Sequence, residues 1–232
     1  MMKAKESQEL IFKTLKEKSV LKQDLFSNTL LNFKTLKRVL KEVADDLKER
    51  MQEVDERVII EYKDIDEYEV HLRIAGDILI FNMHTNVFKF DANNSLWKSS
   101  YFKEDETRGY TGIINVYNFL TDSFKYNRVN DAGYLIARIF INKENHYMVE
   151  GKRQLGFLYN DLINSVINKE QIEAIIQSVM LYTLDFDLYV PPYDLVKEIS
   201  VFEIQQISDG LKLKTAKRLG FKFNADNINI DI

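Results

Sequence analysis

The feature that most constrains this chain is an apolar stripe within residues 24–54. Its members recur at alternating intervals of three and four residues, the spacing that keeps one face of a helix against a partner helix. No proline or glycine interrupts the stretch, so it predicts a single helix of about 45 Å, which is long for one compact domain. The stripe comprises Phe26, Leu30, Phe33, Leu36, Leu40, Val43, Leu47, Met51 and Val54.

The charges along this helix favour pairing between two copies of the chain. Residues 1–41 contain ten Lys or Arg and four acidic residues, whereas residues 42–70 contain four and twelve. Two antiparallel copies would set each basic half against the other's acidic half, which predicts a coiled-coil homodimer. The alternative is that the stripe packs on the chain's own sheet and the charges are only solvated. The predicted interface residues are Phe33, Leu36, Leu40, Val43 and Leu47.

After the helix, the periodicity becomes that of β-strands. Apolar residues alternate with polar ones from residue 68 to residue 74, Gly76-Asp77 predicts a tight turn, and further alternating runs reach residue 150. Helical spacing returns from Gln154 onward, first at Leu155, Leu158, Leu162 and Val166. This order predicts an α+β fold with a long N-terminal helix, an antiparallel sheet of roughly six or seven strands, and C-terminal helices.

Three regions follow from these patterns. Residues 1–55 would form the N-terminal helices with the dimerisation stripe, and residues 56–190 an α+β core domain. The only two prolines, Pro191 and Pro192, would separate this core from a helical tail at 191–232.

The composition excludes several kinds of site. The chain has no cysteine, which rules out disulfides, thiolate zinc sites and cysteine nucleophiles and favours a reducing compartment. The first residues become charged at once and no apolar run approaches about 18 residues, so we expect a cytoplasmic protein without a membrane span. The glycines are too scattered for a phosphate-binding loop, and His71, His84 and His146 lack zinc-site spacing. No cofactor or metal is predicted.

One group of residues supports an alternative, enzymatic hypothesis. Asp131 precedes one predicted strand, and Glu150 and Lys152 end the next. Two carboxylates on neighbouring strands can hold Mg²⁺ while a lysine stabilises developing phosphate charge, as in a metal-dependent nuclease. The competing interpretation is a hairpin whose charges face water.

The same region offers a milder hypothesis of ligand binding. Basic side chains near the second hairpin could anchor an anion while tyrosines form an apolar wall, which is the usual make-up of a small-molecule pocket. The candidates are Tyr134, Arg138, Tyr147, Lys152 and Arg153.

The tail carries a basic segment. Residues 194–207 and Leu211–Leu219 read as two helices joined by a turn, and such a pair can enter a DNA groove. Residues 169–209, however, contain eight acids and two bases, which would repel a duplex, so an acidic protein surface, including the chain's own, is an equal candidate partner. The basic residues are Lys212, Lys214, Lys217 and Arg218.

These patterns predict a soluble, non-enzymatic binding or regulatory module that dimerises through its long helix. Its ligand, a small molecule or a protein, is not specified by any motif. The nuclease-like enzyme and the DNA-binding protein remain the two alternatives.

Overall fold

The molecule is dominated by one long helical rod. A computed structural model describes residues 4–187, 189–202 and 204. A π-helical turn, Leu15–Ser19, joins the first two helices, so the rod runs without a break from residue 4 to residue 52. The helices are α1 (Ala4–Thr14), α2 (Val20–Gln52), α3 (Ser100–Glu104), α4 (Thr121–Lys125), α5 (Gln154–Leu158), α6 (Lys169–Leu184) and α7 (Tyr193–Val196).

The strands form one antiparallel sheet. They are β1 (Ile60–Asp66), β2 (Glu69–Ile74), β3 (Asp77–Met83), β4 (Phe88–Lys89), β5 (Tyr110–Leu120), β6 (Tyr134–Asn142) and β7 (Tyr147–Gly151). The spatial order is β1-β2-β3-β5-β6-β7, and the short β4 pairs with the first residues of β5. The predicted α+β fold, with its long N-terminal helix and C-terminal helices, is confirmed.

The core lies between the sheet and two helices. On β2, Val70, Leu72 and Ile74 are buried towards the helices, as the alternating pattern requires. One face of α2 packs on this side of the sheet, and α6 lies beside it. The buried residues of α2 are Leu25, Thr29, Phe33, Leu36, Val39, Leu40 and Ala44.

Two stretches differ from the sequence-based expectation. The rod begins some 20 residues before the predicted start at residue 24, and none of residues 5–24 is buried. The helical spacing over residues 155–166 gives a helix only to Leu158, because the Asp161 carboxylate accepts the backbone N–H groups of Ile163 and Asn164 and holds a turn there. Beyond this turn, Val166 forms an isolated bridge with His146.

The C-terminal region is described only in part. Of the predicted helix at 194–207, the structure contains α7 and a helical stretch at residues 201 and 202. The predicted basic helix, Leu211–Leu219, lies outside the described residues. Within the described part of the chain, no helix is both long enough and apolar enough to cross a membrane.

Candidate binding groove

An apolar groove separates the second half of α2 from α6. Its volume is about 660 Å³, which falls within the usual range of ligand pockets. The ends of β1 and β2 form its floor, and successive turns of the two helices form its walls. The apolar lining consists of Val39, Val43, Leu47, Met51, Val58, Ile60, Ile74, Met180, Leu181 and Leu184.

The groove forms because the sheet covers only part of the apolar stripe on α2. Val39 and Ala44 are buried, but Val43, Leu47 and Met51 are only partly covered, because they point between α2 and α6. On the opposite wall Leu181 and Leu184 remain 66% and 53% exposed. The groove thus gathers several large, partly exposed apolar side chains, a feature that isolated surface residues do not produce.

A half-exposed ion pair bridges the two walls at one end. The Lys169 ammonium lies 2.8 Å from a carboxylate oxygen of Glu42, and this hydrogen bond lowers the pKa of Glu42 below its ordinary value. Lys169 is the first residue of α6, whose start is fixed by the Asn168 side chain accepting the backbone N–H of Gln171 at 2.8 Å. The pair thus links α2 and α6 at this end of the groove.

The rim of the groove is predominantly acidic. Three lining residues are acids, Glu42, Asp46 and Glu173, and Arg50 is the one base that lines it in the described structure. Arg50 pairs with Asp46 at 3.3 Å, whereas Glu173 accepts a neutral amide hydrogen from Gln177. The flanking stretches, 42–53 and 169–185, together contain eight acids and three bases. The surroundings thus favour a positively charged occupant.

The residues predicted as a dimer interface divide between two environments. Phe33, Leu36 and Leu40 are at most 2% exposed and belong to the chain's own core. Val43 and Leu47 line the groove. Of these five residues, only Val43 and Leu47 are accessible to another molecule.

The residues of the nuclease hypothesis are held by different partners. The Asp131 side chain is buried, lies 2.9 Å from Nε of Arg128 and accepts a hydrogen bond from the Ser123 hydroxyl. Glu150 pairs with Arg138 on the neighbouring strand. Among the described residues, no three His, Asp or Glu side chains are grouped as metal ligation requires. Each of the two carboxylates is therefore paired with an arginine, and Lys152 follows the end of β7.

The predicted ligand-binding residues occupy opposite faces of the sheet. Tyr147 is buried on the helix side, where its hydroxyl donates to Gln171, and Tyr134 packs at the edge of the same core. Arg138 lies on the other face, paired with Glu150, and Arg153 pairs with Asp185. The structure does not bring these side chains into one pocket.

Comparison with known proteins adds no functional assignment. No protein family, curated protein or solved structure matches this chain.

Proposed function

We propose that this protein is a binding module whose groove accepts a basic, amphipathic helical segment. The observation that carries the proposal is the combination of an apolar lining with an acidic rim. An amphipathic helix can lay its apolar face into such a groove while its basic side chains meet the carboxylates of the rim.

The size of the groove agrees with this kind of occupant. On α2 the lining extends from Val39 to Met51, and on α6 from Glu173 to Leu184. At about 1.5 Å per residue, these walls are roughly 16 to 18 Å long, which matches an occupant helix of about 12 residues.

The chain's own residues 211–222 are the occupant that we propose. Leu213, Ala216 and Leu219 recur at a helical spacing of three, and five basic residues lie within these twelve positions. The connection is long enough, because Leu184 lines the groove and 26 residues separate it from Leu211. Fully extended, such a stretch spans at most about 90 Å. The module would then be regulatory, since an external partner must displace this segment.

The absence of cysteine makes a direct test available. In the full chain, Gln177→Cys on the groove rim combined with Lys217→Cys should form a disulfide rapidly under mild oxidation. Lys98→Cys combined with Lys217→Cys is the matched control, because Lys98 is exposed and lies outside the groove. Gel mobility distinguishes a bond within one chain from a bond between two.

Each result has a clear meaning. Fast bonding within one chain would support occupation by the chain's own segment, and fast bonding between chains would support a dimer in which the segment of one copy occupies the groove of the other. Equal rates for the rim pair and the control pair would contradict the proposal. Native mass spectrometry of the purified protein would reveal a small apolar molecule in the groove, which would contradict it as well.

A further inference from the structure

A second cavity lies on the face of the sheet that points away from α2. Its volume is about 310 Å³, and β1, β2 and the short helix α4 enclose it. We call it the cradle and define it by Lys63, Arg73, Thr121, Phe124 and Lys125. Since α4 begins directly after β5, the chain folds back over the sheet at this point.

Ring contacts and a backbone hydrogen bond attach α4 to the sheet on the Phe124 side of the cradle. The Phe124 ring packs edge-on against Phe119, with ring centroids 5.5 Å apart, and against His71 at 5.9 Å. The backbone N–H of Thr121 donates to the carbonyl of Gly76 at 2.8 Å, which fastens the start of α4 to the β2–β3 turn. These contacts hold α4 against the sheet.

The cradle carries an excess of positive charge. Lys63, Arg73 and Lys125 line it together with one acid, Glu61. Within the part of the chain that the structure describes, no ion pair engages these three cations. His71 is already bonded to Glu69 at 2.7 Å. Three cations and one carboxylate leave a net charge of about +2, which a dianion would balance.

Two buried polar atoms beside the cavity lack a partner. The Thr121 side chain is more than nine-tenths buried, and its hydroxyl forms no hydrogen bond among the described residues. The buried Nε of Arg73 also forms no hydrogen bond among the described residues. Buried donors in folded proteins are normally satisfied. Both atoms belong to residues that line the cavity, so each is a candidate donor to an acceptor bound there.

We propose that the cradle binds the phosphate group of an organic phosphate. Arg73 and Thr121 would donate hydrogen bonds to its oxygens, and the two lysines would neutralise its charge. The cavity is larger than a phosphate ion, and Ile78 and Phe124 supply an apolar wall for the organic part. This inference is independent of the α2–α6 groove, which lies across the sheet.

Calorimetric titration of the full chain in low-salt buffer without phosphate tests this site. The probes are phenyl phosphate, inorganic phosphate and benzoate. We expect saturable binding of phenyl phosphate, weaker binding of inorganic phosphate, and the weakest binding of benzoate, which has the same ring but a single negative charge. No saturable binding of phenyl phosphate, or equal binding of benzoate, would overturn the proposal.

Three variants locate the binding. Arg73→Gln should weaken phenyl phosphate binding at least about tenfold, since it removes charge-assisted hydrogen bonds to the phosphate oxygens. Lys125→Gln should weaken it by a smaller factor, and because Lys125 is exposed this variant keeps its fold even where Arg73→Gln does not. Lys98→Gln, which removes an exposed lysine outside the cradle, should change nothing. Equal losses in all three variants would mean non-specific attraction and would refute the site.

Discussion

The contribution of a charged side chain to the free energy of unfolding depends on its burial, as two carboxylates near β6 illustrate. The Asp131 and Arg128 side chains are almost completely buried, whereas Glu150 and Arg138 are about half exposed. Asp131→Ala leaves the Arg128 guanidinium buried without this partner, so we expect the free energy of unfolding to fall by about 3 to 5 kcal/mol. Glu150→Ala is the matched control and should cost less than about 1 kcal/mol. Urea unfolding measures both changes, and similar losses would show that burial does not decide the strength of these pairs.

A second prediction at this scale concerns Asp105. The Lys143 ammonium donates a hydrogen bond to its carboxylate, and with two further donations from Thr107 this lowers the pKa of Asp105 to about 2. A carboxyl group whose pKa is lowered by folding stabilises the protein above its unfolded pKa, near 3.8, and loses that effect as the pH falls to about 2. Lys143→Met should therefore raise the pKa of Asp105 towards 3.8 and flatten the pH dependence of unfolding in this window. An NMR titration of the side-chain carboxyl measures it, and an unchanged pKa would remove Lys143 as the main cause.

At the scale of elements, the contact between α2 and β5 depends on one glycine. A Cβ atom added at Gly112 would lie 2.0 Å from the Thr29 hydroxyl oxygen and 2.7 Å from its Cβ, so the helix would have to move away from the strand. Gly112→Ala should therefore lower the free energy of unfolding by about 1 to 3 kcal/mol, as overpacked cores do. Gly76→Ala is the control, because a Cβ there meets no atom within 4 Å, and its effect should stay within about 1 kcal/mol. Thermal and urea unfolding compare the two variants, and equal effects would contradict the close approach.

How well each element could be predicted depends on whether its pattern is local. Val70, Leu72 and Ile74 are buried while His71 and Arg73 face the other side of β2, as the alternation in the sequence indicates. The heptad spacing of α2 correctly predicts a helix but does not say whether its stripe meets a partner or the chain's own sheet. Phe33 meets the sheet, whereas Leu47 lines an open groove, because α6 covers only part of α2. The sequence does not reveal the cradle for a related reason, since Arg73 and Thr121 come together only through the pairing of β2 with β3 and of β3 with β5.

At the scale of the whole molecule, the rod has an arm that contributes little to the folded body. None of residues 5–24 is buried, and Leu10, Ile11, Phe12 and Leu15 are all more than half exposed. The first side chain of the rod to enter the core is Leu25, which is 0% exposed. The arm is thus a projecting helix whose apolar residues are available to another molecule. Contributions of the rod to the stability of the folded body begin with the burial of Leu25.

Two leucines on the same rod test this division. Leu25→Ala removes a fully buried side chain and should lower the free energy of unfolding by about 2 to 5 kcal/mol. Leu15→Ala makes the same chemical change on the arm, where the side chain is 54% exposed, and should change it by less than about 0.5 kcal/mol. Urea unfolding at two protein concentrations separates stability of the single chain from assembly. A large, concentration-dependent loss for Leu15→Ala would mean that the arm is buried between copies, so that the unit of folding is an oligomer rather than the chain itself.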